Sequence, residues 1–461
     1  MNVRVLRIES RRSASPWASA ILLATAVAFL YLESGAWSRG TAQWTAQWTS
    51  MALWTRSLLV FLWPLAVALG ALQGLRDHRS KMSELLTTTP RPARHRAATT
   101  AGATAIAPAA AFALLVLLGA VQVFGDTEYT HLGWLPISLV GVLALVAGAM
   151  LGLGVGRSLP SPLTPPVLAV AAFVLTNLLR QSTDWAVPTA AVPNRISLLS
   201  PVQGEVREML LTLSAAVHIG QTVWLLGMAA TGFALLTAVT PRARLLALTP
   251  LLVGAAVALL VLPSDPRRTY VVDEAAAAQV CDGPVCVTKA HEARLADLAD
   301  PGKKALRLLH DVLGGQAPVS VREGTALRGI LDVEPPERSR TAVLVDFDDG
   351  LIADAKGEEL TRAVLAQGLA PICFARSANE SGTLGEIAAQ SVVASWVLGD
   401  LKPFGGTVHS SSDQLEAARP VWTELKALPW SEQVARIRAA HTAAVSCEGY
   451  PLDILDGGTS R

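Results

Sequence analysis

Four stretches of this 461-residue chain group side chains that could do chemistry. His291-Glu292 is the first half of H-E-x-x-H, in which two histidines one helical turn apart hold zinc beside a basic glutamate. Ala293, Arg294 and Leu295 follow instead, and no second histidine completes the set. Asp346, Asp348 and Asp349 crowd the run DFDDG, where three acids could hold a divalent cation; a solvated turn is the simpler reading. Ser410–Ser412 stand beside His409 but lack the G-x-S-x-G elbow that exposes a nucleophile. DPGKKA, Asp300–Ala305, lacks the first glycine and the final Ser/Thr of a phosphate-cradling loop. No catalytic, cofactor-binding or metal residue is assigned on this basis, and the chain is not expected to be an enzyme.

The cysteines carry a clearer message. Cys281, Cys286, Cys373 and Cys447 all lie in the C-terminal part, and an even count in one domain fits an oxidising compartment. In CDGPVC, Gly283 and Pro284 can turn the chain so that Cys281 meets Cys286. Zinc is the rival reading, disfavoured because no second Cys/His pair follows at finger-like spacing; free thiols are a third. If the local pair forms, Cys373–Cys447 follows by exclusion from three connectivities.

The elements that position these residues fall into two halves. Residues 1–263 hold 18 Lys+Arg and 9 Asp+Glu, a net of +9; residues 264–461 hold 20 and 28, a net of −8. Such asymmetry indicates two physical environments, and nucleic acid is excluded because the basic residues flank apolar runs without an aromatic-basic strip. The first half carries seven apolar stretches: Trp17–Ser34, Met51–Leu72, Ala101–Gly125, Leu135–Val155, Pro166–Leu179, Ala215–Val239 and Leu245–Leu262. Most approach the roughly 20 residues that cross about 30 Å of hydrocarbon as a helix. Polar residues within them are few: His218 and Gln221 share a face of the sixth run, and Gln122 ends the third.

Orientation follows from Lys and Arg. With a cytoplasmic N-terminus and seven spans, thirteen basic residues fall inside, including Arg4–Arg12, Arg76, Arg79 and Lys81. Five fall outside: Arg39, Arg56, Arg180, Arg195 and Arg207. Parity then puts residues 264–461 outside, in agreement with the cysteines. The Ala/Arg/Leu-rich composition suggests a bacterial cell membrane.

The stretch Gly74–Arg96, GLRDHRSKMSELLTTTPRPARHR, combines a basic patch, an amphipathic turn at Met82, Leu85 and Leu86, and Thr89-Pro90 before the third run. Arg76, Arg79 and Lys81 could meet lipid phosphate or a docked partner. With Val3–Arg12 as an interfacial helix, residues 1–245 resemble the six-span, type-2 membrane subunits of bacterial ATP-binding-cassette exporters. That resemblance implies a permease working as a homo- or heterodimer, with ATP and magnesium on a separate ATPase that docks on the basic segment. The chain departs from the pattern by adding a seventh, tethering span and an exterior domain. Two other readings stand beside it: a membrane-anchored sensor or scaffold, and an exterior hydrolase with degenerate motifs.

Residues 264–461 read as a soluble α+β or mainly helical domain. Strands are expected at Tyr270–Val272, Val319–Arg322 and Thr341–Phe347, and a linker at Glu274–Gln279. Helices are expected at Thr288–Leu298, Gly302–Leu313, Glu358–Gln367, Leu384–Leu398, Leu415–Leu428 and Glu432–Ser446.

Overall fold

A computed structural model describes residues 15–32, 44–45, 47–79, 93–127, 129–187, 190–202, 210–265, 268–325, 338–347, 349–353, 355–373, 375–377, 380–405, 407 and 409–458. The expected interfacial helix Val3–Arg12 and the Met82–Pro90 turn lie outside these residues. The chain is mostly helical and divides into two compact units, one running up to Val271 and one from Val272 onward, with residues 210–211 belonging to the second.

The first unit is a bundle of apolar helices. They are α1 (Ser15–Leu32), α2 (Trp48–Ser57), α3 (Leu59–Gly74), α4 (Ala93–Asp126), α5 (Trp134–Ser158), α6 (Thr164–Arg180), α7 (Ala215–Thr237) and α8 (Thr249–Val261). Among the described residues four helices are long and apolar enough to cross a membrane: Ala97–Gly125 within α4, α5, α7, and Pro241–Val261 ending in α8. The bent pair α2–α3 makes a fifth if counted as one span, while α1 and α6 are shorter apolar helices. Large apolar side chains such as Leu117, Phe124, Val170, Leu178 and Leu260 point outward. Exposure on this scale suits hydrocarbon, where backbone bonding must be satisfied within each helix.

Glycine sets how closely α5 meets its neighbours. A Cβ on Gly152 or Gly156 would overlap the carbonyl oxygen of Val67 or Ala71 on α3, and one on Gly154 would overlap that of Gly232 on α7. Backbones therefore touch along both seams, as expected where packing rather than water exclusion draws helices together. The run Met51–Leu72, expected as one helix, is instead two helices that meet at Leu58 with a bend of 51°. The bend separates the polar end of α2 from α3, which is apolar up to Gln73 in its last turn.

The second unit is an α+β domain. Its sheet has the order β1 (Gln279–Asp282), β2 (Val285–Thr288), β3 (Ser320–Glu323) and β4 (Ala342–Val345). The pair β1–β2 is antiparallel, whereas β2, β3 and β4 run parallel, so their carboxyl ends share one edge. Gly283, at φ +63°, turns the β1–β2 hairpin as the Asp-Gly-Pro sequence requires. The expected linker Glu274–Gln279 is a helical turn, Glu274–Ala277, capped by Asp273 and running into β1. The two helices expected on either side of Pro301 are one, α9 (Leu295–Leu313), preceded by a 3₁₀ segment at Lys289–Arg294. Proline removes only the bond to the carbonyl of Asp297, an exposed residue, so water can replace it.

Helices α10 (Glu358–Leu369), α11 (Leu384–Leu398), α12 (Ser411–Ala427) and α13 (Trp430–Ser446) complete the domain. A single apolar core runs from Val285 and Val321 in the sheet through Leu309, Val364, Val392 and Ile437. Apolar enough to resemble a short span, α11 is the buried centre of this core. Thr383 and Glu386 form a capping box at its start, and Gly399 ends it in the left-handed region.

Candidate functional site

Arg56 is the group that most needs explanation. It lies in the last turn of α2, just before the bend, and is fully buried in the apolar unit. The sequence places it as an exterior loop charge; the structure corrects this, because α2 continues past it and α5 packs over it. Gly141 of α5 makes room chiefly for the Phe112 ring of α4, with the Arg56 stem beside it at ordinary contact distance.

The guanidinium Nη2 donates to Gln221 Oε1 at 2.9 Å and to the Pro201 carbonyl at 3.0 Å. Gln221 is itself fixed, its Nε2 donating to the Leu198 carbonyl at 2.9 Å and, more weakly, to that of Ser200 at 3.4 Å. Trp224, one helical turn on, donates to the Leu199 carbonyl at 3.0 Å. Thus the loop 198–201 offers its carbonyls to α2 and α7 together. His218, on the same face of α7 as Gln221, is within electrostatic reach of Arg56. Arg56 Nε and Nη1 have no hydrogen-bond partner among the described residues, nor has His218 Nδ1.

Energetically this site is unfavourable as it stands. Removing a cation from water costs several kcal/mol even after relaxation, which two neutral acceptors offset only in part. Each buried donor without an acceptor adds roughly 1–3 kcal/mol. An ionisable group inside a membrane-spanning element marks a functional site by default. That signal was present in the sequence, since Arg56 is the sixth residue of the apolar run beginning at Met51.

A second polar cluster sits in the other unit, at the carboxyl edge of its parallel strands, where ligands of open α/β sheets commonly bind. His291, expected on a helix as half of a zinc motif, lies in the 3₁₀ turn after β2. Its Nδ1 is 2.5 Å from Oε1 of Glu323, the last residue of β3, and both are buried. Oε2 of Glu323 accepts the Thr288 amide at 2.6 Å. The His291 ring and the Arg294 guanidinium each lie 5.0 Å from the ring centre of Phe347, beyond β4. Asp349 in DFDDG is not solvated: it is buried and accepts the amide of Leu351 at 3.0 Å, capping a helical turn. Its neighbour Asp348 lies outside the described residues. Among the described residues no three His, Cys, Asp or Glu are placed to hold a metal ion. The His291–Glu323 pair and the Glu323 bond to the Thr288 amide tie β2, β3 and the following turn together.

The remaining expected residues are dispersed. Arg76 is exposed in a helical turn, Arg76–Arg79, after α3; the side chain of Arg79 and all of Lys81 lie outside the description. The cysteines form two pairs at bonding distance: Cys281–Cys286 across the hairpin, Cα atoms 4.1 Å apart, and Cys373–Cys447, 5.7 Å apart. The second joins the segment before α11 to the end of α13. No cysteine is free.

Comparison with protein-family models, with curated proteins and with solved structures finds no match to this chain.

Proposed function

We propose that the protein is the permease subunit of a transporter of the ATP-binding-cassette type, driven by a separate ATPase and working as a dimer of membrane subunits. The observation that carries the transport reading is Arg56: a scaffold that only anchors a domain has no use for a costly buried cation at a break between helices. Discontinuous helices and polar groups inside spans mark the paths of substrates through membrane proteins. The coupling partner rests on the resemblance of Gly74–Arg96 to the docking segment of such permeases. In this reading the N-terminus is cytoplasmic, seven helical passes cross the bacterial cell membrane, and residues 272–461 lie outside. ATP and magnesium belong to the partner.

Affinity purification of the full chain from its native membranes tests the reading. A Walker-A ATPase should accompany the wild type and be lost when Arg76, Arg79 and Lys81 are all changed to Glu. Insertion of that variant must be checked separately, because charge reversal also alters the inner anchor. Wild-type protein that carries no ATPase would favour the sensor or scaffold instead.

A further inference from the structure

We propose that Arg56 is a binding site for an oxyanion, the carboxylate or phosphate of an otherwise apolar ligand, held within the membrane-embedded unit. Nη2 is saturated by Gln221 and Pro201, which fix the plane of the guanidinium. Nη1 and Nε, with three N–H bonds, have no acceptor among the described residues, and no described residue matches the positive charge. Water would satisfy the hydrogen bonds and leave the charge unmatched; an oxyanion meets both.

Arg56 is the ninth residue of α2, about 12 Å along the axis from its start, and Gln221 is about 9 Å from the start of α7. The segment 198–201 supplies backbone carbonyl acceptors to both helices at these positions. Such backbone is tolerated at membrane depth where it is buried or lines a cavity. His218, one turn before Gln221, adds a second donor or acceptor on the same side. The charge sets the ligand's head group, and the apolar surroundings favour a hydrocarbon body.

Assigning the anion to a transported molecule rests on the transport reading, whereas the binding itself does not. The experiment separates the two, and also separates a free acid from a lipid head group. The purified full chain, without any ATPase, is placed in phosphatidylcholine nanodiscs and its unfolding midpoint is followed in two arms. One arm titrates octanoate; the other replaces phosphatidylcholine by phosphatidylglycerol. A dose-dependent rise in at least one arm is expected, and the arm that responds identifies the source. The half-effective concentration should rise about tenfold or more in Arg56→Gln, which keeps a polar group but no charge. Gln221→Glu guards against a variant that fails to fold, because it places a carboxylate at the distance of the existing hydrogen bond. That variant should have a higher starting midpoint and no response to either probe. No rise in either arm for the wild type, or an undiminished rise in both variants, overturns the proposal. Failure to co-purify an ATPase would leave these outcomes unchanged and bear only on transport.

Discussion

Each unit of this protein buries a charged or chargeable group, and the two treat it in opposite ways. Glu323 in the second unit is matched on both oxygens, by His291 and by the Thr288 amide, within the span of one sheet edge. Arg56 in the first unit is matched, among the described residues, on one nitrogen of three. Removing half of a matched pair exposes the other half, so Glu323 is a structural element. Removing the Arg56 cation takes a donor only from two neutral oxygens, Gln221 Oε1 and the Pro201 carbonyl, so stability is a weak reason for its burial. The contrast separates a polar group that holds the fold from one the fold must tolerate.

The widest separation between the units should come from their covalent ties, which belong to the second alone. Replacing both Cys373 and Cys447 by Ala opens a loop with a sequence separation of 74 and should cost about 4 kcal/mol. The same change at Cys281 and Cys286, with a separation of 5, should cost about 2 kcal/mol. Denaturant unfolding of the second unit, followed by the Trp396 and Trp430 signal, checks both. Equal losses would mean that the unfolded chain is not governed by loop length.

The matched and unmatched groups give the next largest difference. Glu323→Ala should destabilise the second unit by about 3 kcal/mol, since it strands the His291 ring and the Thr288 amide together. Arg56→Met should leave the first unit unchanged or stabilise it in neutral lipid. A loss above about 2 kcal/mol at Arg56 would show that its two hydrogen bonds outweigh its desolvation.

Mild acid should produce the smallest effect, followed here in the second unit. His441 of α13 lies near the carbonyl of Leu369 on α10, with Nδ1 at 3.2 Å, and burial pushes its pKa below 6.5. A histidine held neutral by the fold makes stability fall as pH drops below about 6.5, because the unfolded chain takes up the proton first. His441→Phe should flatten that slope. Asp400 acts in a lower range: hydrogen bonds from Lys402 and then Arg362 hold its carboxyl below 3.8. Its contribution is complete above that value and disappears as the pH falls through the lowered one.

Much of this was legible in the chain itself, wherever the signal was local. Apolar runs of membrane length, the asymmetry of charge, and the Asp-Gly-Pro turn between two cysteines all lie within a few residues of one another. What escaped depends on residues far apart. His291 and Glu323 are 32 positions apart and meet only because β2 and β3 lie side by side. Arg56 looked like a loop charge because seven spans needed an exterior segment before the second of them. Its setting depends on a carbonyl 145 residues away and on a side chain 165 residues away. The bend at Leu58 has no local marker either, since Pro64, the one proline nearby, sits in the helix beyond it.

The glycine seams set limits on how the first unit can change shape. With α3, α5 and α7 in backbone contact, none can slide past another by a fraction of a turn without collision, so the three move as a raft. The freedom that remains is at Leu58, where α2 joins that raft as an arm on a hinge. Swinging the arm would carry Arg56 away from Gln221, since one rides on the arm and the other on the raft. The direct hydrogen bond from Arg56 to Gln221 is therefore the latch, holding the arm closed while it is made.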